Sequence, residues 1–253
     1  SGKGGVGKTT VSVNLTLALS QLGYDVALLD ADVYGPNVPL MMGVDGAVMA
    51  HGDRIQPHSK FGVRVMSIGF VSPGDKPLVW RGPMLHSVIQ QFLRQVEWGD
   101  CDFLIVDLPP GTGDVQISLM QTAPLTGAVV VTTPSEVSLQ DARKAVNMFR
   151  QMRVEVLGLV ENMSYLTVPE TGQRIDAFGA GGGRRTAERM NAPFLGEVPL
   201  DPKIRIGGDS GSPIMLLGDS DPNGAAFLEI ARSLAQRVEA MGSPAGPSIS
   251  ITD

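Results

Sequence analysis

A chain of 253 residues that is 43% hydrophobic can bury one sizeable α/β core and has no need of a second domain. Its formal net charge of −6 argues against a general nucleic-acid surface, which needs clustered Lys and Arg to neutralise phosphates. The single cysteine, Cys101, excludes an intrachain disulfide and fits a reducing cytoplasm, and with neither a signal peptide nor an apolar run of about 18 residues no membrane span is expected.

The chain opens on Ser1-Gly2-Lys3-Gly4-Gly5-Val6-Gly7-Lys8-Thr9-Thr10. The spacing Gly-x-x-x-x-Gly-Lys-Thr is that of a Walker A phosphate loop. Its backbone N–H groups curl round the phosphates of a nucleoside triphosphate, Lys8 reaches the β and γ oxygens, and the Thr9 hydroxyl ligates Mg²⁺. A helix over Thr9–Leu22 then directs its N-terminus at the anion. Lys3 is a second lysine near the start of the loop, and its side chain leaves pointing away from its own cradle. A natural target is the triphosphate of a facing subunit, where it would act as an arginine finger does. ATP-dependent homodimerisation is the regulatory expectation. A phosphate loop normally follows a buried strand, so the natural protein is expected to continue upstream of Ser1.

Further along, apolar β-branched runs alternate with helical patterns, as in βαβ units with a mostly parallel sheet flanked by helices. The strands are expected at Tyr24–Asp30, Val63–Ile68, Phe103–Asp107, Ala128–Thr132, Val156–Val160 and Phe194–Val198. Beyond the first helix, others are expected at Pro83–Val96, Leu139–Met152, Arg184–Met190 and Ala225–Met241. The last puts Phe227, Ala231, Leu234, Val238 and Met241 on one core-facing stripe. Residues 1–241 are expected to form one ATPase domain and 242–253 a flexible tail. The basic pairs Arg143-Lys144 and Arg184-Arg185 read as solvated helix faces. Gly179-Ala180-Gly181-Gly182-Gly183 lacks the Lys-Thr ending of a phosphate loop and reads as the opening of a helix. His51, His58 and His86 show no ligand spacing.

In open α/β sheets the ligand sits beyond the carboxyl ends of the strands, and the polar motifs fall there. Asp107 ends an apolar strand in the Walker B manner and should hold Mg²⁺ directly or through water. Asp30 and Asp32 form a second acidic pair, with Asp30 supporting the magnesium shell and Asp32 orienting or deprotonating the attacking water. The plainer reading gives this pair a turn or helix-cap role. Pro36-Asn37-Val38-Pro39 and Pro109-Pro110-Gly111-Thr112-Gly113 are the expected switch loops. The Asn162 amide is placed to pair with the adenine edge as donor and acceptor together, and Thr132-Thr133-Pro134 to line the path to the base.

Taken together these segments closely resemble the Mrp/ApbC family of deviant Walker A ATPases in the MinD/ParA-like group. The resemblance rests on Gly2–Thr10, on Asp30-Ala31-Asp32-Val33-Tyr34-Gly35-Pro36-Asn37, on Trp80-Arg81-Gly82-Pro83-Met84, on Trp98 through Asp114, and on Val198-Pro199-Leu200-Asp201-Pro202 with Gly207-Gly208-Asp209-Ser210-Gly211. It implies a three-layer P-loop fold and a slowly hydrolysing, ATP-dependent homodimer that carries an iron–sulfur cluster to apoprotein clients. Many members hold the cluster with a Cys-x-x-Cys pair shortly after the Glu-Asn-Met segment. Here Val168 and Thr171 stand at those positions, and neither supplies the thiolate a cluster needs. Cys101 precedes the Walker B strand, at the sheet end away from the nucleotide. The competing expectation is a MinD/ParA-like switch that controls partner binding without carrying a cluster.

Overall fold

The computed structural model describes residues 4–71, 82–111 and 113–242. Gly2, Lys3, Trp80, Arg81, Thr112 and the tail from Ser243 lie outside the described residues, as does the side chain of His86. In chain order the elements are α1 (Lys8–Gln21), β1 (Val26–Asp30), α2 (Val38–Met42), β2 (Met49–His51), β3 (Arg54–Gln56), β4 (His58–Lys60) and β5 (Val63–Ser67). They continue with α3 (Gly82–Gln95), β6 (Phe103–Asp107), α4 (Asp114–Thr122), β7 (Ala128–Thr132), α5 (Glu136–Gln151) and β8 (Val156–Glu161). The last are β9 (Leu166–Thr167), β10 (Arg174–Ile175), α6 (Gly182–Arg189), β11 (Phe194–Glu197), α7 (Pro202–Asp209) and α8 (Pro222–Ala240).

The main strands form two sheets, β4-β5-β1-β6 and β11-β8-β7, parallel throughout except for β4. Every residue of β1 and β8 is buried, as continuous apolar runs covered on both faces must be. β6 is only half-buried from Phe103 to Val106, and β7 from Ala128 to Val129. Among the described residues β6 pairs only with β1 and β7 only with β8, so each presents one edge without a ladder partner.

Helix α1 is buried along Val11 and from Val13 to Leu19, because apolar residues surround it rather than forming one stripe. Its buried polar groups are satisfied internally. Asn14 Nδ2 donates to the Thr10 carbonyl at 2.8 Å, Asn14 Oδ1 accepts from Met215 N at 3.2 Å, and Thr16 donates to the Ser12 carbonyl at 2.7 Å. Helix α8, with Phe227, Ile230, Ala231 and Leu234 buried, packs against α1.

The five expected helices are all present, with ends moved by one to three residues. α8 begins at Pro222 rather than Ala225, because Asp221 caps it by accepting from Asn223 N at 2.9 Å and proline suits the first turn. The same Asp-Pro signal opens α7, where Asp201 accepts from Lys203 N at 2.8 Å. α7 was not expected, although its start is legible in Asp201-Pro202. The two caps interlock, since Asn223 Nδ2 donates to both Asp201 and Asp221 at 2.9 Å.

Candidate functional site

The loop ahead of α1 turns on Gly7, whose φ of 82° is left-handed and favours glycine. A second reason for glycine is space, because a Cβ there would lie 2.2 Å from Asn162 Nδ2. Lys8 is the first helical residue and Gly7 O accepts from Val11 N at 3.0 Å, so the loop runs directly into the N-terminus of a helix. Gly5, at φ 80°, has nothing near the position of a Cβ and leaves the loop open for a close-approaching anion.

The parallel ladder places Asp30 beside Asp107 at the carboxyl ends of β1 and β6. Asp107 is buried and bridges two hydroxyls of α1, accepting from Thr9 at 2.6 Å and Ser12 at 2.8 Å. Burial raises its carboxyl above the ordinary value, against the lowering effect of those hydroxyls and of Lys8. A carboxylate and a threonine hydroxyl in direct contact, beside an open phosphate loop, make a donor set suited to Mg²⁺ completed by phosphate oxygens and water. Ser12, which the sequence reading passed over, is one helical turn beyond Lys8. Its β-hydroxyl on the Asp107-facing side was the available signal.

Asp30 is fully buried with both oxygens engaged. It accepts from Ser67 Oγ at 2.9 Å, from Asp32 N at 3.1 Å and from Val38 N at 3.2 Å. It therefore ties β5 and the start of α2 to the end of β1, and its contact with the site runs through its neighbour Asp107. Burial and the Asp107 charge push its carboxyl up to about 8. A carboxyl raised in the folded state keeps a proton that the unfolded chain releases, so its stabilising contribution is lost as pH rises. Ligand-free protein is expected to lose stability from pH 3.8 up to about 8, with Asp30→Asn removing part of that slope. Parallel pH profiles of melting temperature for the two proteins would exclude Asp30 as the cause.

Asp32 follows on the loop leaving β1. One oxygen accepts from Tyr34 N at 3.0 Å and Gly35 N at 3.2 Å, so the carboxylate also builds the turn that carries it. The two expected roles, turn former and water-orienting group, are compatible because a carboxylate has a second oxygen to offer. The loop then enters α2 through Pro36-Asn37-Val38-Pro39. On the other side Pro110 approaches Gly4, and Gln116 Nε2 holds the second loop by donating to the carbonyls of Pro109 at 2.7 Å and Gly111 at 3.1 Å.

Asn162 lies under the loop. Its backbone N donates to Thr132 O at 2.8 Å, and its buried amide Nδ2 donates to Val6 O at 2.9 Å. The amide nitrogen expected to read adenine is thus committed to holding the phosphate loop in shape. Asn162→Ala should weaken nucleotide affinity about tenfold by leaving the Val6 carbonyl unpaired in the interior. Isothermal titration checks this, and unchanged affinity would refute the clamp. Thr133 donates to Ser138 Oγ at 2.8 Å and, with Gly4, Gly5, Met163 and Phe178, lines a cavity of about 170 Å³ beside the loop.

The glycine-rich stretch opens α6, as expected. Its first N–H groups face a protein carboxylate, because Glu161, fully buried at the end of β8, accepts from Gly183 N and, at 2.6 Å, from Ser164 Oγ. A Cβ at Gly183 would stand 2.8 Å from Glu161 Oε2, so glycine is needed for this close approach.

The sequence profile of a family described as "ParA: NUBPL iron-transfer P-loop NTPase" matches residues 1–235. The chain belongs to that family. It is 50% identical over 244 residues to a protein of Synechocystis named "Iron-sulfur cluster carrier protein", covering 94% of this chain and 69% of that protein. Among solved structures it resembles a nucleotide-binding protein of Archaeoglobus fulgidus in complex with ADP, at 36% identity and a TM-score of 0.77, covering 90% of this chain and 89% of that one. The cell-division ATPase MinD of Pyrococcus furiosus shares the fold, with a TM-score of 0.66 over 93% of this chain and 96% of that one at 24% identity.

In this NUBPL-family chain the two positions at which the resemblance places cysteines, Val168 and Thr171, stand at the turn of the β9–β10 hairpin, where Val168 N donates to Gln173 O and Gly172 N to Val168 O. Cys101 precedes β6 at the opposite sheet end from Asp107, its thiol pushed up by burial despite Arg64 nearby. Among the described residues no group of three or more His, Cys, Asp or Glu forms a ready-made cation cage, and no helix is long and apolar enough to cross a membrane.

Proposed function

We propose that this chain is an ATP-binding, slowly ATP-hydrolysing protein of iron–sulfur cluster delivery, working in the cytoplasm as a nucleotide-gated homodimer on apoprotein clients. The observation that carries the nucleotide half is the contact of the Thr9 and Ser12 hydroxyls with Asp107 directly below the Gly7 turn. Backbone N–H groups from Gly4 to Thr10 bind the phosphates, with Gly2 and Lys3 extending the cradle. Lys8 binds the β and γ oxygens. Thr9 and Asp107 would hold Mg²⁺, with Asp30 supporting that shell from behind Asp107, and the ion would supply charge neutralisation for phosphoryl transfer. Asp32 orients the attacking water, and Lys3 of the facing subunit reaches the same phosphates. Residues 1–241 act as one ATPase domain.

The delivery half rests on family membership and on relatives named iron–sulfur cluster carriers. The donor set at the β9–β10 turn does not fit a cluster, since valine and threonine offer no thiolate, and two Cys101 thiols in a dimer fall short of the four usual ligands. That mismatch favours the second reading, a switch that controls partner binding with no cluster of its own. Anaerobic reconstitution with iron and sulfide decides between them. Stoichiometric cluster on the unmodified chain would support a carrier with unconventional ligands. Cluster gained only by Val168→Cys/Thr171→Cys would support the switch.

A further inference from the structure

One strongly charged surface has no part in the nucleotide site. Helix α6 turns Arg184, Arg185 and Arg189 to solvent, and Arg150 in the last turn of α5 and Arg153 just beyond that helix are exposed as well. Arg150 stitches the two helices together, donating to the carbonyl of Met190 and, at 3.1 Å, to that of Asn191 at the end of α6. Arg184 is held over the Phe194 ring at 4.5 Å. Among the described residues none of these five forms an ion pair, whereas Arg143 and Lys144 on α5 are matched by Glu136 at 2.6 Å and Asp141 at 3.1 Å. Glu188 is the only carboxylate of α6.

Helix energetics account for part of this arrangement. Arg150 and Arg189 lie in last turns, where the dipole favours cations. Arg184 and Arg185 lie in the first turn of α6, where it disfavours them. On a chain of net charge −6, Arg184 and Arg185 are therefore placed against both the local field and the overall charge. The helix presenting them is fixed in place, its first turn tied by Gly183 N to buried Glu161.

We propose that the α5–α6 arginine face docks an acidic segment of a partner protein. Guanidinium forks match carboxylates bidentately, and the groups are partly pre-ordered by the carbonyl and ring contacts above. A long nucleic acid is disfavoured because it would run off the patch onto a chain whose net charge of −6 repels phosphate. A short acidic stretch stays on the two helices.

The probe is a fluorescein-labelled oligoglutamate of about ten residues, followed by anisotropy at low and moderate salt. Arg184→Glu/Arg185→Glu/Arg189→Glu is compared with Arg54→Glu/Lys60→Glu/Arg232→Glu, which makes the same charge change elsewhere. The expected result is a loss of at least about tenfold in affinity and a flatter salt dependence in the α6 triple variant, with the control within about twofold of the parent. Retained nucleotide binding shows that the variants fold, and Arg185→Glu alone replaces the triple variant if that fails. The proposal is overturned by equal effects of the two triple variants or by no measurable binding to the parent. Stronger competition by an oligothymidylate of equal length, marking a nucleic-acid site, also overturns it. So does loss of a parent dimer in the α6 variant by light scattering, marking a contact between copies.

Discussion

Lys8→Ala is expected to lower ATP affinity by at least about 100-fold while the fold is retained. Lys8 opens α1 directly after the left-handed Gly7, and it is the lysine proposed to bind the β and γ phosphate oxygens. Removing one partner of a desolvated charge pair costs about 2–5 kcal/mol, and about 2.7 kcal/mol already corresponds to 100-fold. Little stability should be lost, because the ends of β1 and β6 are joined by their ladder and α1 is tied to β6 by the Thr9 and Ser12 hydroxyls on Asp107. Calorimetric titration with circular dichroism as a folding control measures both quantities. Lys3→Ala should behave differently, leaving binding measurable but removing nucleotide-dependent dimerisation and hydrolysis, if Lys3 serves the facing subunit as proposed. Equal loss of affinity in the two variants would refute the division of labour between the lysines.

The second large effect is expected for Asp32→Ala, with single-turnover hydrolysis falling by about 10²- to 10⁴-fold while ATP stays bound and the dimer persists on sizing chromatography. A positioned carboxylate contributes to the chemical step and not to the phosphate cradle, so chemistry and binding should separate. Asp32 also accepts from Tyr34 N and Gly35 N, so losing the turn is a competing cause of the loss. Asp32→Asn keeps an amide oxygen that accepts those N–H bonds and can hold a water, but it cannot take a proton. If Asp32→Asn hydrolyses ATP as fast as the parent, Asp32 takes no proton from the attacking water; if Asp32→Ala does so, the water-orienting role is wrong. Asp107→Ala should act on the other component by weakening the dependence on Mg²⁺.

Elements built from strongly patterned segments were legible from the amino-acid order, as in β1, β6, β7 and β8 and the helices α1, α3, α5, α6 and α8. α2 and the β2–β3 and β9–β10 hairpins were not, because two to five residues are too few for a periodic pattern to rise above composition. α4 and α7, with nine and eight residues, were also not expected. The phosphate loop was legible because its chemistry is encoded in contiguous residues. Asn162 was legible as a polar residue at a strand end, but its partner could not be read. Its bond to the Val6 carbonyl spans 156 positions of chain and exists only because β8 ends beneath the loop.

Taken alone, the sequence determined the class of fold, the loop that receives phosphates, and the absence of thiolates at Val168 and Thr171. Each of these follows from local residue types and spacing, which folding does not alter. Tertiary structure decided which acids act together. Asp30 and Asp107 become neighbours through the register of two parallel strands, and burial there lifts the Asp30 carboxyl to about 8. Tertiary structure also brought Arg150 of α5 to the end of α6, because helix packing joins positions 40 and 41 residues apart along the chain. Charge, unlike a contiguous motif, acts through space, so its meaning waits on the fold.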